Sequence, residues 1–545
     1  MICTLANSLW LSGCVSELGR FRKAVRRVAE EQQTILRRIL NENAATEFGK
    51  LHRFSSIRNA AEYQKRVQLR DYEQHEKWIG RAAAGVPNVL TRDAVRLFEP
   101  TSGSSGAAKL IPYTPSLQRE FQRGIRAWIA DLFLHCPALL AGQAYWSVSP
   151  VSGALNNTSG GIPVGFDDDT CYVGGWQKRL VAAVMAVPPG VRLASDIDAF
   201  WYVTLLFLVR AKNLRLISVW HPSYLSLLLD RLPEWGDRIC YDLAHGTLCP
   251  ASIKRSQEVY AALRAITPQE KHAKLWPKLA LISCWRDANA TGPAAKLMTL
   301  LPHSRIQGKG LIATEAFVSF PLAGQEHAAL AVRSHFLEFL PAGFDRPQLA
   351  HQLESGEQYK IVVTTSGGLY RYRLGDLVEV TGHVLGCPLI RFIGRHGSVS
   401  DWFGEKLSDA HVSHVLSETF KTLHMAPSFA MLACDTDSPP GYVLYIDSPD
   451  RDELINHAAK RIDTLLRENF HYNYARELGQ LSCLQVFRVR NGAQIYLLEA
   501  MRNGHRPGSI KPPALDRRTG WSKIFAEAEY HHLAVPMPGS YLHAV

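Results

Sequence analysis

The chain has 545 residues, 46% of them hydrophobic and 20% charged. That balance excludes a largely disordered chain and, at ~100–200 residues per domain, predicts two or more domains around a substantial core. The formal charge of +11 is spread along the chain without an arginine-rich tail, which favours small anionic ligands over nucleic acid. The ten cysteines form no CxxC pair, so nothing supports a zinc knuckle or a dithiol redox motif, and a reduced, cytoplasmic setting is expected.

In chain order, the apolar run in MICTLANSLWLSGC has no Lys or Arg before it, so it reads as a helix rather than an export leader. Phe21, Val25, Val28, Leu36, Ile39 and Leu40 recur at near-helical spacing and predict a helix over 18–43. A short strand at Val95–Phe98 precedes the glycine-rich stretch 101–109, and a helix is expected from Ser116 to about Leu134. Residues 145–310 alternate apolar runs with helical stretches, an α/β rhythm, with strands at LRLISVW (214–220) and LALISCW (279–285) and a helix at 223–232. The run FWYVTLLFLV (200–209) is too short to span a membrane and reads as a core helix segment. GLIATEAFVSFPL (310–322) reads as a strand interrupted by Glu315, and YKIVVTT (359–365) and LIRFIGR (389–395) read as strands. Beyond Gly394 the expected order is helix (408–422), strand (442–446), helix (452–470), then two strands at CLQVFRV and QIYLLEA, a small α+β unit.

Three stretches carry chemistry. TSGSSGAAK offers the backbone amides and hydroxyls of Thr101, Ser102, Gly103, Ser104, Ser105 and Gly106, with Lys109 beside them. Amides in a glycine-rich turn bind phosphate oxygens. The spacing is not that of a P-loop, because Ala108 and Leu110 stand where GxxxxGK[ST] needs glycine and a hydroxyl. A plain surface loop is the competing reading. Glu315, amid apolar residues, is either an Mg²⁺ ligand beside a nucleotide or the exposed end of a strand. Asp376, closing YRYRLGD after a tight turn, is placed to accept ribose hydroxyls, while the neighbouring arginines serve either phosphate or salt bridges.

TSGSSGAAK, ATEA (313–316) after QGKGLI, YRLGD (372–376), Phe392–Arg395 followed by GEKLSD, and IKPP with Lys511 occur in this order, with NENAATEFGK, VWHPSYL and ISCW between and before them. With these motifs the chain resembles, over nearly its whole length, the Gretchen Hagen family of acyl-adenylate-forming acyl–amino acid amido synthetases, of bacterial type, within the superfamily of firefly luciferase and the acyl-CoA synthetases. The resemblance implies an α/β fold: a large N-terminal domain (1–395) binding ATP and the acyl substrate, a hinge (396–404), and a small mobile α+β C-terminal domain (405–545). It implies that 101–106 hold the ATP phosphates, with Thr314, Tyr372, Asp376 and Arg395 at the nucleotide and Glu315 on Mg²⁺. Lys511, Glu315 and Lys109 are the implied catalytic residues. ATP and Mg²⁺ are the implied cofactors. The implied partners are a small carboxylic acid and an amino acid or other amine, with no nucleic acid and no membrane, in a monomer or weak homodimer. An acyl-CoA ligase or a non-catalytic nucleotide-binding protein are the alternatives. Ala107, Ala108 and Ala316 depart from the family pattern.

Overall fold

The computed structural model describes residues 2–101, 109–147, 157–165, 177–194, 196–341, 346–395, 399–400, 405, 407–435, 440–477, 481–503 and 510–534. The chain divides into two compact units, the first running to Ile393 and the second beginning at Gly394.

In the first unit, a helix over Ile2–Ala24 buries Trp10, Cys14, Leu18 and Phe21, one face at three- and four-residue spacing. It packs along the Pro115–His135 helix, and Trp10 meets Phe133 with ring centroids 5.6 Å apart. The single helix expected over 18–43 is two, because the chain breaks after Ala24 and resumes at Val28–Glu42. No glycine or proline causes the break. The Val25 carbonyl is withdrawn from the helix and accepts the Gly386 N–H at 2.9 Å.

The α/β rhythm of 145–310 becomes a four-stranded parallel sheet of Gln143–Trp146, Leu214–Ser218, Leu281–Cys284 and Arg305–Gly308, in that order. Helices including Ile197–Arg210, Pro222–Asp230, Leu232–His245 and Ile253–Leu263 connect its strands. Phe200 and Trp201 are buried with the core on the Ile197–Arg210 helix. A second, seven-stranded sheet has Gln358–Thr364 and Tyr372–Val384 paired antiparallel near its middle.

The second unit has a four-stranded sheet in which Phe429–Asp435 and Gly441–Asp447 form the central antiparallel pair. The helices Asp409–Thr422 and Asp452–Leu466 contribute Val412, Leu416, Ile455 and Ile462 to its core. QIYLLEA, expected as a strand, lies in a helix over Gly492–Arg502. Its buried residues Ile495, Tyr496, Leu497 and Ala500 form the inner face of that helix, a pattern a short apolar run does not distinguish from a strand. Among the described residues no helix is long and apolar enough to cross a membrane.

Candidate active site

The glycine-rich stretch connects two paired strands in the sequence. Leu97–Thr101 pairs antiparallel with Lys109–Tyr113, and Thr101 and Lys109 are its last paired positions. Ser102, Gly103, Ser104, Ser105 and Gly106, with Ala107 and Ala108, lie outside the described residues, as does the Thr101 side chain. The expected strand–loop–helix order is therefore corrected to strand–loop–strand. The helix waits for Thr114, whose hydroxyl accepts the Leu117 N–H at 3.2 Å, and for Pro115 in the first turn. Among the described residues, the stretch is followed by a strand and not directly by a helix N-terminus, unlike a P-loop. Lys109 places Nζ 3.4 Å from Glu73 Oε1 and 5.2 Å from the centre of the Tyr72 ring. The next residue, Leu110, donates its N–H to Tyr72 Oη at 2.8 Å.

The ATEA segment is also not a strand. Ala313 and Ala316 exchange backbone hydrogen bonds of 2.9 and 3.3 Å, and Ile312 bridges Phe317 antiparallel, so Thr314 and Glu315 form a two-residue turn. Only Ser319–Pro321 of the expected 310–322 run is a strand. The reason is local closure: the two alanine peptides satisfy each other and have nothing left for a sheet partner. Glu315 is nonetheless buried, at 4% exposure, which does not agree with an exposed strand end. Ala316 is fully buried, so its methyl group is part of the packing.

Asp376 lies within the strand Tyr372–Val384, not after a turn. Lys360 faces Leu377 while Val362 faces Arg373, so the register slips across residues 374–376. Gly375 has φ +85°, the left-handed backbone that such a bulge needs and that glycine adopts without strain. The bulge takes Asp376 out of the ladder and holds it at 8% exposure. Tyr372 is buried, with its ring centroid 5.8 Å from that of His75. The flanking arginines are salt-bridged. Arg371 is buried against Glu338 at 2.9 Å and also donates to the carbonyls of Gln64 and Val67. Arg373 pairs with Asp71 at 3.0 Å.

Two sets of contacts, neither evident from sequence, tie these segments together. The first is the start of the Tyr72–Ala83 helix. Tyr72 and Glu73 hold Leu110 and Lys109, while just upstream the Arg70 N–H and C=O bond Arg371 and Arg373 at 3.0 and 2.9 Å. A few residues thus clamp the hairpin to the strand that carries Asp376. The second is a buried polar chain around Glu120. Its carboxylate accepts from the Ser366 N–H (2.9 Å), the Ser366 hydroxyl (2.7 Å), Arg38 (2.9 Å) and His335 Nδ1 (3.0 Å). His335 Nε2 in turn accepts the Phe317 N–H at 3.0 Å, which puts the ring proton on Nδ1. Thr114 donates to the Ser366 carbonyl at 3.1 Å. The chain from Thr114 through Ser366, Glu120 and His335 to Phe317 therefore links the hairpin's end, the turn before Tyr372 and the Glu315 turn. Burial raises the Glu120 pKa, but the hydrogen bond from His335, the Arg38 charge and the Ser366 donors outweigh it, and the carboxyl sits below its ordinary value. One signal in the sequence pointed to Glu120: it shares the buried helix face of Leu117, Phe121 and Gly124.

In the second unit, Lys511 is exposed and lies just before the Leu515–Asp516 strand. That strand is held where the Leu515 N–H reaches Asp409 Oδ1 at 2.9 Å and the Leu432 N–H reaches the Ala514 carbonyl at 2.7 Å. Arg395 ends the Cys387–Arg395 strand, and its side chain is outside the described residues. Of the expected hinge, Val399 and Ser400 are described and pair with Ser408 and Leu407; Tyr442 hydrogen-bonds both Ser400 and the buried Glu405.

Among the described residues no three His, Cys, Asp or Glu side chains converge as a metal cage. A single buried carboxylate, Glu315, suits Mg²⁺, which is commonly held by one or two carboxylates together with phosphates and water.

The three GH3 family models match in sequence order: the N-terminal domain over residues 17–306, the central domain over 328–395 and the C-terminal domain over 410–519. The chain belongs to the GH3 family. Among curated members, the probable indole-3-acetic acid-amido synthetase GH3.7 of Oryza sativa subsp. japonica is 24% identical, the match covering 85% of this chain and 86% of that protein. The indole-3-acetic acid-amido synthetase GH3.3 of Arabidopsis thaliana is 23% identical, over 92% and 91%. Among solved structures, the AtGH3.15 acyl acid amido synthetase in complex with 2,4-DB superposes with a TM-score of 0.82 at 19% identity, covering 95% of this chain and 96% of that one. The fold is that of this adenylate-forming family, an α/β architecture with a separate C-terminal unit.

Proposed function

We propose that this GH3 family chain is an ATP-dependent ligase that activates a carboxylic acid as its acyl-adenylate and transfers the acyl group to an amino acid or other amine. The observation that carries this reading is the match of all three family domains in order along the chain, with the motifs TSGSSGAAK, ATEA, YRLGD and IKPP occurring in that order in the sequence. The curated relatives named as amido synthetases support an amine as acceptor.

In the first half-reaction a carboxylate oxygen attacks the α-phosphorus of ATP, and pyrophosphate leaves. Negative charge builds around phosphorus, and fixed cations and N–H groups stabilise it. The amides and hydroxyls of 101–106, with Lys109, hold the phosphates. Thr314 borders the nucleotide, Glu315 holds Mg²⁺, and Tyr372, Asp376 and Arg395 bind the nucleoside. Mg²⁺, when bound, supplies charge neutralisation at the phosphates. The buried turn that carries Glu315 and the bulge that carries Asp376 support these assignments, because each fixes an otherwise costly buried carboxylate. Lys511, in the second unit, serves the charge that builds at the α-phosphate and on the attacking carboxylate. In the second half-reaction the amine attacks the acyl carbonyl, the C–O bond to AMP breaks, and the amine proton passes to solvent or base. A matrix of carboxylic acids against amines and thiols, read by product mass, tests the reading. Amide product with stoichiometric AMP is expected; thioester product alone would replace it with a coenzyme A ligase.

A further inference from the structure

A cavity of about 510 Å³ opens at the amino-terminal edge of the parallel sheet. It lies where Gln143 begins one strand and Lys212 precedes the next, beside the end of the Ile197–Arg210 helix and the start of the Ile253–Leu263 helix. The ATEA turn follows the opposite, carboxyl-terminal edge of the same sheet, after Gly308, which is the end where open α/β sheets place their main ligand. The cavity volume falls within the ~300–1,000 Å³ range of small-molecule sites.

Its lining is cationic. Arg210, Lys212, Lys254 and Arg255 face one acid, Glu258. Two of the four cations are already committed. Lys212 pairs with Glu258 at 2.6 Å. Arg255 is buried, pairs with Glu258 at 3.3 Å, and donates to the carbonyls of Val209 and Leu275 at 2.6 and 2.7 Å. Among the described residues, Arg210 and Lys254 are in no ion pair. Arg210 and Lys254 thus lack an ion partner among these residues while Lys212 and Arg255 share the one acid, so the lining carries an excess of positive charge, and Lys254 lies in the first turn of its helix, where backbone N–H groups also favour an anion. The remaining lining is mixed: Phe207, Ala186 and Ala211 offer an apolar patch, and Gln143 and Ser252 are polar.

We propose that this cavity binds a phosphate monoester with an apolar or aromatic body. The phosphate is close to a dianion at neutral pH and matches the two uncommitted cations. A monocarboxylate would leave one of them uncompensated, and free inorganic phosphate would leave the Phe207 wall uncovered. The site is separate from the nucleotide site of the ligase and stands whether or not that reading holds.

The test uses phenyl phosphate titrated into the full-length protein by calorimetry with ATP present at saturation. One binding event that ATP does not displace is expected. The Arg210→Ala/Lys254→Ala double variant is expected to weaken it by about tenfold or more, each lost charge-assisted contact contributing, with the melting temperature and the affinity for ATP unchanged. The Arg210→Lys/Lys254→Arg variant, which keeps both charges, restores it. Binding that ATP abolishes, binding equal in the wild-type protein and the double variant, or no binding of phenyl phosphate at all would each overturn the proposal.

Discussion

Glu120 and His335 are joined by a 3.0 Å hydrogen bond with both side chains sealed from solvent, at 1% and 0% exposure. The pair stands behind the candidate active site. It carries the backbone of the Glu315 turn, through Phe317, to the turn that precedes Tyr372, through Ser366. Glu120→Ala would leave His335, Ser366 and Arg38 without their common acceptor. A loss of about 3–5 kcal/mol of stability is expected, the usual scale for breaking a buried charged network from one side. Denaturant unfolding measures it, and a change within error of zero would show that the network is not structural. Glu120→Gln, which keeps one acceptor oxygen, should lose less.

Tyr72 receives the Leu110 N–H at 2.8 Å and lies under Lys109. Tyr72→Phe keeps the ring and removes the acceptor. It should cost about 1–3 kcal/mol, the price of an unsatisfied, partly buried donor, and should raise the KM for ATP more than it lowers kcat, since the affected strand adjoins the proposed phosphate-binding stretch. An unchanged KM for ATP would separate this clamp from nucleotide binding.

Asp409 gives a pH prediction. Burial raises its pKa to about 6 against the opposing hydrogen bonds from the Leu515 and Ala514 backbone. The folded value is above the unfolded one, so folding favours the protonated form. That contribution is full below the ordinary carboxyl range near ~4 and is lost as pH rises through about 6. Asp409→Asn keeps an Oδ1 acceptor for Leu515 and cannot ionise. The melting temperature of the wild-type second unit should therefore fall between pH 5 and pH 7 relative to this variant; parallel curves would mean that Asp409 does not titrate there.

Much of the secondary structure was legible in the sequence, for physical reasons that also account for the misses. The segment 359–365 is β-branched and apolar and bounded by Ser366–Gly368, and its strand Gln358–Thr364 follows. The run 200–209 is helical and buried as its length and composition required. The Lys109–Tyr113 strand was missed because its partner, Leu97–Thr101, is reached only across the glycine-rich loop. The bulge at Asp376 is set by register against Lys360 and Val362, which no local pattern encodes. The Arg70–Tyr72 clamp depends on Arg70 pairing with the distant Arg371 and Arg373 and on Tyr72 bonding Leu110, 38 positions away. Motif residues were visible singly; what holds them is long-range.

Asp376→Ala should weaken ATP binding, since the proposed ribose acceptor is lost. A loss of about tenfold or more is expected for a buried carboxylate that accepts ligand hydroxyls. Equilibrium binding of ATP to the variant checks it, and normal affinity would remove Asp376 from the site.

Lys511→Ala separates the half-reactions. Acid-dependent pyrophosphate release should fall steeply, while attack of an amine on a preformed acyl-adenylate should fall less, because the lysine's proposed role is at the charge on the α-phosphate. Equal losses in both would contradict its assigned role.

The most direct measurement of the central claim is acid-dependent exchange of labelled pyrophosphate into ATP by the wild-type protein, across a panel of aromatic and aliphatic carboxylic acids. The account predicts exchange above the acid-free blank with at least one acid, and amide product of the corresponding mass when an amino acid is added. Folded protein that gives no acid-dependent exchange with any acid would contradict it.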